Sequence, residues 1–275
     1  MTSEKLTSIS GEPLGLWAAR ALGGAAGRRD ELGSSDLSID EVLVAAEVGL
    51  RPAGLVSGSA VWHVGYQFPQ IGAPYEVDQL SDAISQARRM ALERMVASAR
   101  SRGAAGVLGV EISAEGFGGG SVEFWAAGTA LRRVGEAGRE PFFWGLLSVQ
   151  EYLLLRRAGF VPVGVVMGVC VYHMGFSPLG TAFARLTENI ELEAPTSALY
   201  RARELAMARM QAEADELGAS GVVGTTVGWS SHVWGPRTVE FMATGTALRP
   251  IGEASHEPVE AAVDLSEPPE SAFGQ

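Results

Sequence analysis

Apolar and polar positions along the chain follow one pattern that occurs twice. Residues 39–48 (IDEVLVAAEV) and 149–158 (VQEYLLLRRA) read as short amphipathic helices. Ser38 and Ser148 precede them, and Glu41 and Glu151 stand three positions later. This is the spacing of a capping box: the serine oxygen accepts from an early backbone N–H while the glutamate reaches back to the serine N–H. Gly49 and Gly159 fall where a helix closes on a left-handed residue. Strand-like runs rich in β-branched residues follow, AGLVSGSAVWHVGYQF after Pro52 and VGVVMGVCVYHMGF after Pro162. Glycines 54, 58, 164 and 168 inside them predict bulges or a close backbone approach.

A loop with a short extended piece comes next, YEV at 75–77 and IEL at 190–192. The pattern then changes to a long helix, with Ser81 and Thr196 as its expected N-caps. In the first copy Ala83, Ala87, Met90, Ala91, Met95 and Ala99 recur at three- or four-residue steps and predict one apolar face. Gly103 and Gly218 end these helices. Two strands complete each copy, GVLGVEIS with VEFWAAGTALRRV and GVVGTTVGW with VEFMATGTALRPI. The segments between them, AEGFGGG and SSHVWGPR, read as hairpin connections. The run GFGGGS (116–121) joins two strands and opens no helix, so it is not a phosphate-binding loop.

The copies align 110 residues apart at the first strand (54–65 with 164–175), 115 apart at the helix (87–109 with 202–224) and 117 apart at the last strand (122–136 with 239–253). A unit of this length is a domain and not a solenoid repeat. The expected organisation is a flexible N-terminal arm over 1–37, domains at 38–136 and 148–253, and an acidic tail over 254–275. The fold class is α+β, each domain a short helix followed by β-α-β-β. Three strands leave open edges, and open edges demand a partner, so the architecture predicts an oligomer.

Composition narrows the function classes. The net charge of −11 over 275 residues repels phosphate backbones and argues against nucleic acid. A single cysteine, Cys170, excludes an internal disulfide and a multi-cysteine zinc site and fits a reducing, cytoplasmic setting. Ala60 occupies the matching position, so Cys170 reads as a small buried hydrophobe. No run reaches the 18–20 apolar residues of a membrane span. The segment PLGLWAARALGGAAG is broken by Arg20 and followed by Arg28 and Arg29, which predicts an amphipathic helix in the arm and not a leader.

Four groups of motifs carry a resemblance. They are GLVSG and GVVMG before the long helix, ARRMALERM and ARELAMARM within it, GAAGVLGV and GASGVVGT after it, and GTAL closing each copy. In these the chain resembles the YbjQ-like family, labelled heavy-metal-binding, across both domains. The resemblance implies a dodecin-like fold, a ring-shaped homo-oligomer and a divalent metal ion. Where single-domain relatives carry a carboxylate after the second glycine of the first motif, Ser59 and Val169 stand here.

The candidate metal ligands are the two repeated polar pairs, His63 with His173 and Glu123 with Glu240. Neutral imidazole is a common ligand, and a symmetric oligomer gathers several copies. Apolar neighbours Trp62, Val64, Tyr172 and Met174 favour instead a histidine hydrogen-bonded at a domain or subunit contact. For the glutamates, Arg94 and Arg209 on the long helices are the expected ion-pair partners. No G-x-S-x-G, P-loop or dinucleotide fingerprint is present, and the chain is expected not to be an enzyme. The main expectation is a non-enzymatic oligomeric protein. The alternative is a small-molecule binder that takes flat aromatic ligands between subunits, using Trp62, Trp229, His232 and Trp234.

Overall fold

The computed structural model describes residues 35–63, 74–118, 121–134, 141–175, 193–231 and 237–251. The N-terminal arm up to residue 34, the IEL segment, His232, Trp234 and the acidic tail lie outside these residues. Among these residues the helices are α1 (Ile39–Glu47), α2 (Asp78–Ser101), α3 (Val149–Arg157) and α4 (Glu193–Glu216). The strands are β1 (Leu50–His63), β2 (Tyr75–Glu76), β3 (Gly106–Gly118), β4 (Ser121–Arg133), β5 (Phe143–Trp144), β6 (Phe160–His173), β7 (Gly221–Ser231) and β8 (Thr238–Pro250).

Local chemistry accounts for the short helices. Ser38 and Ser148 accept from the backbone N–H of Glu41 and Glu151, and each glutamate accepts from its serine N–H at 2.9 and 2.8 Å. Gly49 and Gly159 adopt φ of +71° and +82° immediately after them. The long helices differ from expectation at their starts. The N-cap of α2 is Val77, with no side-chain cap bond, and Ser81 and Thr196 lie inside α2 and α4. The hydroxyl of Ser81 serves a tertiary contact instead of a cap.

The strand glycines have two uses. Register slips between Pro52 and Gly54 and between Pro162 and Gly164 mark a bulge in each copy. Gly58 and Gly168 let a helix lie directly on the strand. A Cβ at either would strike the carbonyl oxygen of Ala91 or Ala206 and stand 2.5 or 2.6 Å from the N–H nitrogen of Met95 or Met210. The glycine run after Glu115 is partly strand, since β3 continues to Gly118 with a slip at its end.

The strands form two four-stranded sheets, ordered β1-β4-β3-β5 and β2-β6-β8-β7. In each, three long strands come from one copy and the fourth comes from elsewhere. β2 belongs to the first copy but pairs antiparallel with β6, Tyr75 opposite His173 and Glu76 opposite Tyr172. β5 lies in the connection between copies and pairs parallel with β3. The open edges predicted for each unit are thus covered in part, within the chain, at one end of β6 and one end of β3.

Helix α2 follows β2 without a break and is drawn between the sheets. One side packs on sheet one with Val56, Phe124 and Ala126, and the other meets Val165, Met167, Val169 and Val171 of β6. Alternate residues of β6, Val166 and Cys170, pack on α4 with Ala202, Ala206 and Met210. The layers run sheet one, α2, sheet two, α4. A third cluster, with Ala45, Leu108, Phe143, Val149 and Tyr152, ties α1 and α3 to the strand ends. The expected single apolar face of α2 holds for Ala87, Ala91, Met95 and Ala99. A second buried side includes Ser81, Arg88 and Leu92. Hydropathy missed it because a serine and an arginine mark it.

Candidate functional site

The most heavily built polar region joins the two copies where β2 and α2 meet sheet two. Pairing of β2 along β6 places Glu76 beside Arg209 of α4, and the two form an ion pair. Glu76 also accepts from the Ser81 hydroxyl at 2.8 Å, and that hydroxyl accepts from the Val171 N–H at 2.8 Å. Arg209 donates a further bond to the Val169 carbonyl at 2.7 Å. Burial alone pushes the Glu76 carboxyl up, but Arg209 and Ser81 outweigh it and hold the group below its ordinary value. Cys170 lies against this cluster. Burial first, then the charge of Glu76, pushes its thiol up to about 12, so it stays protonated and is no nucleophile at neutral pH.

The second bridge is Arg88 of α2 with Glu240 of β8, 2.5 Å apart, both side chains about 5% exposed. The Arg88 guanidinium also lies over the Phe124 ring of sheet one, 5.2 Å from its centroid. One side chain therefore spans both sheets. This corrects the expectation for the glutamates: Glu240 pairs with Arg88 from the other copy and not with Arg209, whose carboxylate partner is Glu76. Arg94, the counterpart of Arg209, donates to the Ser59 carbonyl. Among the described residues neither Arg94 nor Glu123 has an ion-pair partner. Sequence reasoning missed Arg88 and Glu76. The repeat offset aligns Arg88 with Arg203 and Glu76 with Glu191, and that recurrence was the available signal.

The candidate histidines divide in the same way. His173 is buried, opposite Thr238, with Nδ1 3.5 Å from the Thr238 hydroxyl and its ring 5.4 Å from that of Tyr75. Burial, then the nearby Arg237 charge, lowers its basicity. His63 is exposed, with Nδ1 3.4 Å from the Ser121 hydroxyl. Val61 pairs with Glu123 and His63 with Ser121, so His63 and Glu123 are diagonal neighbours on one face. His173 and Glu240 repeat the relation. Each copy brings together two donors, whereas zinc sites take three or four from protein. Among the described residues no group of three or more His, Cys, Asp or Glu is placed to hold a metal. The described residues do not gather a metal donor set within one chain.

A cavity of about 330 Å³ lies between the N-termini of α1 and α3, lined by Asp36, Glu41, Glu111, Thr129, Glu151 and neighbours. Two of its carboxylates are engaged in the capping boxes. The Thr129 hydroxyl accepts from the Asp36 N–H, as Thr246 accepts from Leu146 in the second copy. Among the described residues no helix is long and apolar enough to cross a membrane.

Comparison with known proteins matches the geometry to a duplicated unit. The YbjQ family model, described as "putative heavy-metal-binding", matches residues 71–133 and 161–250. The chain is 41% identical over 226 residues to the "Encapsulin nanocompartment protein Rv1762c" of Mycobacterium tuberculosis, covering 80% of this chain and 86% of that protein. It is 37% identical over 89 residues to a "UPF0145 protein" of Pseudothermotoga lettingae, covering 32% of this chain and 80% of that protein. One unit of this chain thus corresponds to most of the shorter relative.

Proposed function

This chain belongs to the YbjQ family, and from that premise we propose that it is a non-enzymatic subunit of a closed homo-oligomer, its two copies sharing a dodecin-like β-α-β-β plan. The observation that carries this reading is a sheet face with exposed apolar residues and no cover among the described residues. On the outer side of sheet one Leu55 is 40% exposed, Val61 55% and Trp125 37%. The matching residues of sheet two, Val165, Val171 and Met242, pack against α2 or its cluster. Burying a Val or Leu side chain contributes about 1.5–3 kcal/mol, so association stabilises a chain that otherwise leaves this face in water. Among the described residues β1 has no strand partner on its outer edge, although Arg94 and Arg102 donate to its Ser59 and Leu55 carbonyls.

The name of the Mycobacterium tuberculosis relative, an encapsulin nanocompartment protein, supports participation in a multi-subunit assembly. The ion pairs of buried Arg88 with Glu240 and of half-buried Arg209 with Glu76 hold the two copies together, which supports a structural role. For the metal in the family's label no donor set of three or more is gathered among the described residues. Native mass spectrometry of the untagged full chain at micromolar concentration tests the proposal. A discrete multi-subunit mass is expected, and a monomer alone refutes it. Metal analysis of the same sample should give well below one equivalent per chain, unchanged by the His63→Ala, His173→Ala double variant. A stoichiometric metal lost in that variant would restore the histidines as ligands.

A further inference from the structure

The contact between the copies uses two different surfaces, and each has an unused counterpart in the same chain. On the helix side, α2 presents Ser81, Ser85, Arg88 and Leu92. The same positions of α4 are Thr196, Tyr200, Arg203 and Met207. None of these four is buried; Arg203 is exposed and Tyr200 is 60% exposed. On the sheet side, Glu240 and Val171 of sheet two correspond to Glu123 and Val61 of sheet one.

We propose that α4 of a second copy of this chain seats on the outer face of sheet one as α2 seats on sheet two, with Arg203 of that copy paired to Glu123. The proposal rests on the assembly reading above and adds the partner surfaces. Three features support this occupant. The first is continuity with an existing interface: among the described residues the stack of sheet one, α2, sheet two and α4 ends in a helix at one side and a bare sheet at the other, so a second chain extends it without a new kind of contact. The second is charge. Arg203 already lies over the Phe241 ring, 5.6 Å from its centroid, as Arg88 lies over Phe124. It is held at the sheet it leaves, just as Arg88 is before reaching across to Glu240. Glu123 has no ion-pair partner among the described residues. The third is volume. Tyr200 replaces Ser85 on the helix, while Ser57 and Ser59 replace Met167 and Val169 on the sheet. A larger helix residue thus faces a smaller floor, which keeps a close-packed contact attainable.

The contact is heterologous, because helix meets sheet and not its own image. Such contacts propagate head to tail and give a finite particle only when the rotation closes a ring. Every chain in that ring offers one helix and accepts one, and the buried Arg88–Glu240 bridge alternates around it with the Arg203–Glu123 bridge of the chain junctions.

Charge reversal tests this on the intact chain. Glu123→Arg and Arg203→Glu are each expected to raise the subunit dissociation constant at least tenfold in mass photometry or sedimentation, because close interfacial charge pairs couple strongly. Combining them should return assembly to within a few fold of the unmodified chain. Circular dichroism and thermal melting identify any variant that misfolds. Because Arg203 is exposed, Arg203→Glu keeps the test open if Glu123→Arg fails to fold. An unmodified chain that is monomeric overturns both this proposal and the assembly reading. An oligomer indifferent to either reversal, or one that the double variant fails to rescue, overturns this proposal alone.

Discussion

Among the described residues sheet two is packed on both faces and sheet one on a single face, although related sequences build them. The difference is written in β1 and β6. In β1 buried and exposed residues alternate from Gly54 to Val61, whereas β6 is buried at almost every position from Val161 to Val171. Alternation is the mark of a strand with one solvated face, and a continuous apolar run is the mark of a strand covered on both. Helix α2 is the cause. It carries Arg88 to Glu240 and Ser81 to the Val171 N–H, whereas among the described residues nothing plays those parts for Glu123 and Val61. Homologous residues therefore sit in unlike environments: His173 is buried and His63 exposed, Glu240 paired in the interior and Glu123 half-buried at the surface. A duplicated chain thus sets recurring residues, His63 with His173 and Glu123 with Glu240, in different surroundings.

The largest expected contrast is at the paired arginines. Arg88→Ala leaves the Glu240 carboxylate buried without its charge partner and should cost about 3–5 kcal/mol. Arg203→Ala should stay within about 0.5 kcal/mol for the dissociated chain, as surface substitutions do. Urea denaturation at low concentration, followed by tryptophan fluorescence, measures both. Equal costs would erase the distinction between the two helix faces.

The next test sharpens the comparison by asking where the copies are alike. Gly58→Ala and Gly168→Ala each drive a methyl group into a helix carbonyl, and each should destabilise by about 1–3 kcal/mol or more. A tolerated Gly58→Ala would mean that α2 is less firmly seated on its own sheet than α4 is.

The smallest effect is pH dependence. Burial of His173 lowers its folded-state pKa below the ordinary value of about 6.5. As pH falls through that unfolded value, the unfolded chain takes up a proton that the folded chain does not, and stability drops. The loss continues until the folded-state pKa is reached. His173→Gln should flatten this part of the melting-temperature profile between about pH 7 and 5 relative to the unmodified chain. An unchanged profile would show that His173 is not held neutral.

Much of each copy was legible along the chain. Capping boxes, terminal glycines and the strand-to-helix change of period depend on neighbours within a few residues, and these features appear where the pattern places them. The strand glycines were legible as well, as a bulge at Gly54 and a close approach at Gly58. The candidate site was only half legible. His63, His173, Glu123 and Glu240 were found because they recur, but their environments were not readable: whether a residue is covered depends on which helix arrives above it. Arg88 was harder still. Its neighbours in the sequence mark a solvated helix face, and only the arrival of sheet two makes that face interior.

By itself, the sequence determined two α+β units, the caps of their short helices and their close helix-to-strand contacts, because those rest on short-range backbone geometry and steric fit. The tertiary structure alone decided that β2 crosses to the second copy's sheet, that β5 joins the first, and that Arg88 meets Glu240. Two similar copies offer nearly equivalent edges and faces to every helix and strand. The choice among them follows from how much apolar surface and how many buried charges can be satisfied at once, a sum over both units that no local stretch contains.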